Sequence, residues 1–209
     1  SEAQMKASGN FAEGKRDGQW SYWHKNGKKS QEGNYLKGKK DGKWTTWDKK
    51  GQVSQEAQYK ADKQDGTWVS WHGNGKKSLE GVYKKGKRDG VWTAWFDTGS
   101  QKDIGTWKNG VAEGKWTYFH PNGQKMKEGD RDKKGKPTGT WVSYYPDGKK
   151  KEEGQYLAGK QVGMWKTWDE TGKETEVNMD LVPTTPEAPA PAASEKAPVP
   201  KKPAATENP

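Results

Sequence analysis

Apolar residues recur at a fixed interval between residues 9 and 177. A motif of the form Gly-x-Trp-x-x-Trp, followed by a short glycine turn, repeats along this stretch and is clearest in DGKWTTWDKKG at residues 41–51. Six units of 24 residues and one of 25 cover residues 9–32, 33–56, 57–80, 81–104, 105–128, 129–153 and 154–177. Such a register predicts a repeat array in which each unit contacts only its neighbours.

Three positions in each unit carry aromatic side chains, counting the first residue of the unit as position 1. Position 3 is aromatic in every unit except the sixth, where it is Arg131. Position 12 is always tryptophan: Trp20, Trp44, Trp68, Trp92, Trp116, Trp141 and Trp165. We assign to position 15 the residues Trp23, Trp47, Trp71, Trp95, Phe119, Tyr145 and Trp168.

The residues around these positions predict a β-hairpin in each unit. The Trp-x-x-Trp stretches are rich in Thr, Ser, Val and aromatics, which suit a strand. Pairs such as Asn26-Gly27 and Asn74-Gly75 follow them and predict two-residue hairpin loops. The fold class is therefore all-β: an elongated single-sheet antiparallel meander of seven hairpin repeats, with about fourteen strands. Residues 1–8 are expected to add a capping strand to the array at 9–181, and the Pro/Ala-rich residues 182–209 to form a disordered tail.

A pairing argument separates the two tryptophans of the motif. With a two-residue loop, position 12 faces position 1 of the next unit, so Trp44 lies opposite Ala57 and Trp20 opposite Gly33. A large ring opposite a small residue is a device that fixes strand register. Position 15 is an odd number of residues away and points to the other face of the sheet. We therefore expect Trp44 to be structural and Trp47 to be available to a ligand.

Composition narrows the functional classes. Only 28% of residues are hydrophobic, yet the chain has 13 Trp and 8 Tyr, so its buried surface must be largely aromatic. The net charge of +10 comes mainly from lysine, which attracts polyanions but lacks the guanidinium fork that reads bases. The absence of cysteine excludes disulfides and thiol nucleophiles. The start at Ser1 is compatible with removal of a signal peptide or with a segment boundary, and we expect a periplasmic, outer-surface or secreted protein.

Catalytic chemistry is not expected. His24, His72 and His120 all follow position 15 directly, two units apart, so they cannot share a substrate or a metal, and we expect them at surface polar positions. The sequence offers no convergent nucleophile and base. We therefore predict that the protein is not an enzyme and has no cofactor or metal site.

The repeats resemble MORN repeats of the bacterial MORN-2 variant, which is described as antitoxin-like. The resemblance rests on Gly-x-Trp-x-x-Trp/Tyr, Asn-Gly-Lys, Glu-Gly-x-Tyr and Gly-Lys-x-Asp-Gly, and extends from residue 9 to about 177. It implies an elongated, non-enzymatic array that acts as a scaffold or binding surface.

Two functional hypotheses remain open. In the first, the position-15 residues form an aromatic row that binds an extended protein or a cell-envelope glycan, although these rings could instead pack on one another to stabilise a thin sheet. In the second, the lysines bind an anionic membrane surface or a polyanionic polymer. Nucleic acid is a less favoured partner because nothing reads bases, and the oligomeric state is open.

Overall fold

The computed structural model describes residues 6–181, which form a single open antiparallel sheet. Fifteen strands follow one another in chain order, each hydrogen-bonded to the next. The all-β meander is therefore confirmed. The tail predicted at residues 182–209 and residues 1–5 of the predicted cap lie outside the described residues.

The strands alternate between those that carry the Trp-x-x-Trp motif and those that connect them. They are β1 (Ala7–Ala12), β2 (Lys15–Trp23), β3 (Lys29–Leu36), β4 (Lys39–Trp47), β5 (Val53–Lys60), β6 (Lys63–Trp71), β7 (Lys77–Lys84), β8 (Lys87–Trp95), β9 (Gln101–Lys108), β10 (Val111–Phe119), β11 (Lys125–Arg131), β12 (Pro137–Tyr144), β13 (Lys150–Leu157), β14 (Lys160–Trp168) and β15 (Glu174–Asn178). A 3-10 turn, Met179–Leu181, follows β15. No helix in residues 6–181 is both long enough and apolar enough to cross a membrane.

The strand number differs slightly from the fourteen expected. Seven motif-bearing strands each need a neighbour on both sides, which gives fifteen. The first edge strand, β1, begins at Ala7 and continues to Ala12, beyond the end of the predicted cap.

The hairpin loops contain three residues rather than the predicted two. In the first unit the N–H of Gly27 donates to the carbonyl of His24, and the N–H of His24 donates to the carbonyl of Lys28. Only Gly27 of the Asn-Gly pair has a positive φ, +82°, whereas a two-residue type I′ loop requires positive φ at both positions. The extra loop residue shifts the register by one, and a bulge restores it: Trp23 pairs with Lys29 but Tyr22 pairs with Gln31.

Because the bulge restores the register, the predicted pairs of position 12 are nevertheless present. Trp20 pairs with Gly33 and Trp44 pairs with Ala57. Each tryptophan also has a small neighbour on its other side, and Trp44 pairs there with Gly33. The ring lies over this second partner, since a Cβ built on Gly33 would stand 2.3 Å from Cδ2 of Trp44. The glycine of its own unit, not that of the next, therefore accommodates the indole.

The core lies on one face of the sheet, around these tryptophans. Trp68, Trp92 and Trp116 are each only 1% exposed. Tyrosines at position 3 meet the rings edge-on, with centroids 5.0 Å apart for both Tyr35–Trp44 and Tyr83–Trp92. Aromatic pairs favour this geometry because the positive ring edge meets the negative ring face.

Cations at position 8 cover the same core. The Nζ of Lys40 lies 3.8 Å from the Trp44 ring centroid, and the guanidinium carbon of Arg88 lies 4.3 Å from that of Trp92. Burial lowers the pKa of Lys40 to about 8. A single-layer sheet thus shields its aromatic core with cation–π contacts in addition to aromatic packing.

Arg131 replaces the aromatic residue at position 3 of the sixth unit. Its guanidinium donates to the hydroxyl of Tyr118 at 3.0 Å and to the carbonyl of Gly135 at 2.7 Å. It also lies over the rings of Trp116 and Trp141. The insertion in this unit therefore lies in the turn that contains Gly135, and the Arg131 side chain holds this turn in place.

Candidate ligand-binding strip

The position-15 residues lie on the face opposite the core, at the end of each motif-bearing strand. Side chains alternate between faces along a strand, so Trp47, three residues after buried Trp44, points the other way. Trp23, Trp47, Trp71, Trp95, Phe119 and Trp168 are all partly exposed. The structure therefore brings these six predicted residues into one row.

Tyr145 is a correction to that row. Tyr144 is the last residue of β12 and pairs with Lys150, as Trp23 pairs with Lys29. Tyr145 belongs to the turn, where its N–H donates to the carbonyl of Lys149. The insertion in the sixth unit precedes Trp141, so the spacing of three residues from Trp141 leads to Tyr144.

We call the corrected row the aromatic strip. It consists of Trp23, Trp47, Trp71, Trp95, Phe119, Tyr144 and Trp168. Consecutive members stand two strands apart, about 9.6 Å at the usual strand spacing, and the strip extends about 58 Å. The ring–ring contacts within residues 6–181 all join rings outside the strip. Mutual packing of its rings therefore does not account for the strip.

Lysines beside the aromatic strip form ion pairs with glutamates, which neutralise their charge. Lys77 lies over the ring of Trp95, with Nζ 5.8 Å from the centroid, and its ammonium contacts Glu80 at 2.9 Å. The same arrangement joins Lys29 to Glu32, where the hydrogen bond from the lysine lowers the pKa of the carboxyl. These ion pairs make the surroundings of the strip polar without a local excess of positive charge.

One stretch of the strip is flanked by uncharged residues. Gln101 pairs with Trp95, at the position held by Lys77 one unit earlier, and Ile104 replaces the corresponding glutamate. Both partners of the ion pair are therefore absent together in the fourth unit. Between Trp95 and Phe119 the strip borders neutral side chains, which favours contact with an uncharged ligand.

The turns beside the strip hold its backbone in place. The Nε2–H of His24 donates to the carbonyl of Trp47 at 2.9 Å, and His72 does the same to Trp95. His120 donates to the carbonyl of Tyr144, and the hydroxyl of Tyr145 donates to that of Trp168. The histidines were expected at surface polar positions. They are instead partly buried, and each one joins two neighbouring units through a hydrogen bond.

Asparagines and lysines of the same turns extend this support. The Nδ2 of Asn26 donates to the carbonyl of Lys49 at 2.7 Å, and the ammonium of Lys28 donates to that of Lys50 at 2.6 Å. The donors of these hydrogen bonds are side chains that recur with the unit period, and this recurrence is visible in the sequence. The acceptors are backbone carbonyls, which every residue has, so the sequence does not show which of them are used. The function of these repeated residues was missed for that reason.

The comparisons with known proteins identify the repeat. No curated protein matches the chain. The MORN repeat variant matches residues 16–37, 40–61, 64–85, 112–132 and 137–158, which together make up just over half of the chain. The gap between residues 85 and 112 contains β8 and β9, the strands that carry Trp95, Gln101 and Ile104. MORN repeats are generally non-enzymatic. The chain belongs to the MORN repeat variant family.

Proposed function

We propose that this protein is a non-catalytic scaffold that holds an extended partner along the aromatic strip. The observation that carries this proposal is a row of seven partly exposed rings at a constant spacing on the face opposite the core. Rings that are amphipathic and partly exposed supply large contact areas at low cost in conformational entropy.

The shape of the strip favours an extended partner over a compact one. A line of rings about 58 Å long and one ring wide offers similar contacts at each unit. The hydrogen bonds from His24, His72 and His120 fix the backbone at strip residues, so little order has to be gained on binding. A polypeptide or glycan chain laid across the strands could use several rings in turn.

The cellular setting belongs to the same proposal. We place the protein in a bacterial cell envelope or exterior, with an envelope protein or glycan as its partner. The support is the absence of cysteine, the basic repeat array and the Pro/Ala-rich sequence after residue 181.

A lysine-driven association with polyanions has weaker support. Lys29, Lys77 and Lys150 are each paired with a glutamate beside the strip. The ammonium groups of Lys28 and Lys76 donate to backbone carbonyls of the next turn. Such lysines contribute less to binding an anionic surface than free ones.

The test is a pull-down from the source cells with the full chain as bait. The strip variant combines Trp47→Ala, Trp71→Ala and Trp95→Ala. We expect it to lose the partners that the wild type captures, while its far-ultraviolet circular dichroism stays unchanged.

A matched control changes the same three strands on the same face, four residues away from the strip. It combines Lys43→Ala, Thr67→Ala and Val91→Ala. The control should capture the wild-type partners; equal capture by the strip variant would refute the proposal.

A further inference from the structure

The first strand of the sheet, β1, has an open outer edge. Among residues 6–181 it pairs with β2 alone, whereas β3 pairs with a motif-bearing strand on each side. Tyr35 on β3 is 5% exposed and meets two indole rings, Trp20 and Trp44, with centroids 6.1 and 5.0 Å away. Phe11, at the same unit position on β1, meets Trp20 at 5.1 Å and is 65% exposed. The outer side of β1 therefore leaves an aromatic contact unfilled.

This strand also lacks the features that protect edge strands. Proteins commonly place charged residues, proline or bulges on an edge to prevent pairing with another chain. The six residues of β1 are Ala-Ser-Gly-Asn-Phe-Ala, without charge or proline. The bulge in its pairing with β2 places the extra residues, Gly18 and Gln19, on β2. The outer side of β1 is therefore a regular, uncharged edge that can accept another strand.

The opposite edge of the sheet, β15, is acidic. Glu174 and Glu176 both contact the ammonium of Lys166 on β14, at 2.8 and 3.0 Å. A second copy of β15 would add its own glutamates beside these, and like charges opposite each other destabilise a strand pair. Self-association is therefore favoured at β1 over β15.

Gly9 and Phe11 direct their backbone groups to the open side of β1. The N–H of Trp23 on β2 donates to the carbonyl of Lys6, which therefore faces β2. Successive residues along a strand alternate in the neighbour that they face. Lys6 and every second residue after it, including Asn10, thus face β2. The residues between them, Gly9 and Phe11, have outward N–H and carbonyl groups.

The order of side chains at this edge is its own complement. Inside the array, Gly18 of β2 pairs with Tyr35 of β3. Two residues on, Trp20 pairs with Gly33, so each ring lies opposite a glycine, which fixes the register. The same Gly-x-aromatic order occurs in β1 at residues 9–11. Two antiparallel copies of β1 repeat the arrangement, because the glycine of each copy faces the aromatic ring of the other.

We propose that two copies of this chain associate through β1, in an antiparallel pair with Asn10 on the two-fold axis. Gly9 of each copy pairs with Phe11 of the other, and both have the outward backbone groups that a hydrogen-bonded pair requires. At each end, Lys6 of one copy lies one pair away from Glu13 of the other, and their opposite charges favour this register. The symmetry closes the interface, so the assembly stops at a dimer.

The dimer joins fifteen strands from each copy into one continuous sheet. Gly9 and Phe11 both contact the Trp20 ring on the core face, so the core faces of the two copies continue into each other. The two aromatic strips then share the opposite face. An edge of six residues buries less than the roughly 1,200 Å² of a stable interface, so the association is reversible. Pairing uses the edge of the sheet and not the strip, so the dimer does not depend on the proposed function.

Disulfide formation tests the register, because the chain contains no cysteine of its own. On the two-fold axis, the Cα atoms of residue 10 in the two copies stand about 4.5 Å apart, as in a pair without backbone hydrogen bonds. That distance lies within the range of about 4.4–6.8 Å that a disulfide spans. Asn10→Cys should therefore form a disulfide-linked dimer on mild oxidation of the full chain.

The matched control is Asn34→Cys, at the same unit position on the interior strand β3. Asn10 and Asn34 are both exposed, and the backbone carbonyl of each accepts an indole N–H, at 3.0 and 3.1 Å. The control should stay monomeric under the same oxidation. Equal cross-linking of the two variants would overturn the proposal.

Charge substitutions at the same residue test the symmetry. Asn10→Lys and Asn10→Glu each place like charges on the axis, so each should sediment as a monomer at a concentration where the wild type is partly dimeric. An equimolar mixture of the two variants should recover the association, because opposite charges then meet. Asn34→Lys should sediment as the wild type does.

Three sedimentation results would contradict the pairing. One is a wild type that stays monomeric at about 1 mM, where a Kd of about 1 mM leaves half of the chains dimeric. Another is a dimer that Asn10→Lys leaves unchanged, and the third is a mixture that does not recover the association. A monomeric wild type whose pull-down partners are lost in the strip variant would overturn the dimer and leave the proposed function standing.

Discussion

Replacing Gly81 with alanine tests whether the tryptophan–glycine contacts hold the array together. The Trp92 ring lies over Gly81, and a Cβ added there would stand 2.2 Å from its Cδ2 atom. Trp92 is 1% exposed and its Nε1–H donates to the carbonyl of Val82 at 3.1 Å. The new methyl group must displace the ring and stretch or break that hydrogen bond.

The cost follows from these two effects. Overpacking a well-packed site costs about 1–3 kcal/mol. A buried donor left without its acceptor costs about 1–3 kcal/mol more.

The third unit carries an alanine, Ala57, at this place. Trp68 pairs with Ala57, and its Nε1 has no hydrogen-bond acceptor among residues 6–181. Trp116 also lacks an acceptor although it lies over Gly105, so glycine permits the hydrogen bond without ensuring it. Because the fold tolerates Ala57, we expect Gly81→Ala to cost about 2–3 kcal/mol, in the lower half of the summed range.

Urea unfolding followed by circular dichroism measures the loss, and hydrogen exchange in β7 and β8 tests whether it is local. The matched control is Gly73→Ala, since a Cβ at Gly73 meets no heavy atom within 4 Å and its φ is not positive. The control should stay within about 0.5 kcal/mol of the wild type. Equal unfolding midpoints for the two variants would refute the reasoning.

Two further changes have defined outcomes. Burial lowers the pKa of Lys40 from 10.5 to about 8, so the unfolded chain binds more protons than the folded chain between these two values, and stability should rise with pH across that window. Lys40→Met should remove this part of the rise in the urea midpoint. Identical pH profiles for the wild type and Lys40→Met would contradict the assignment. His72→Ala deletes the hydrogen bond to the Trp95 carbonyl and should lower the free energy of unfolding by about 0.5–1.5 kcal/mol in the same urea assay. The control Lys25→Ala changes an exposed turn residue and should lower it by less. Equal effects of the two substitutions would count against a structural role for the histidine.

The repeat architecture could be predicted from the sequence because two periodicities reinforce each other. The unit period aligns Trp44 with its equivalents, and the alternation of side chains places Trp47 on the other face. Strand pairing also followed, since the small residue opposite each tryptophan fixes the register. The pairing of Trp44 with Ala57 is an example.

Local backbone irregularities could not be predicted in the same way. The three-residue loop and the bulge that compensates for it cancel in the register, so the pattern of paired residues is the same with or without them. The placement of Tyr145 failed because a one-residue insertion allows two alignments, and only the pairing of Tyr144 with Lys150 distinguishes them. Cations such as Lys40 and Arg88 were missed because a charged residue in a turn pattern usually indicates solvent exposure.

The most direct test of the central claim is the indole N–H spectrum of the chain during titration with the partner recovered in the pull-down. Five tryptophans belong to the aromatic strip, Trp23, Trp47, Trp71, Trp95 and Trp168, and seven form the core row at position 12. Binding along the strip should shift or broaden the signals of the five and leave those of the seven in place. Changes confined to the core row, or saturable binding without any change in the five, would contradict the account.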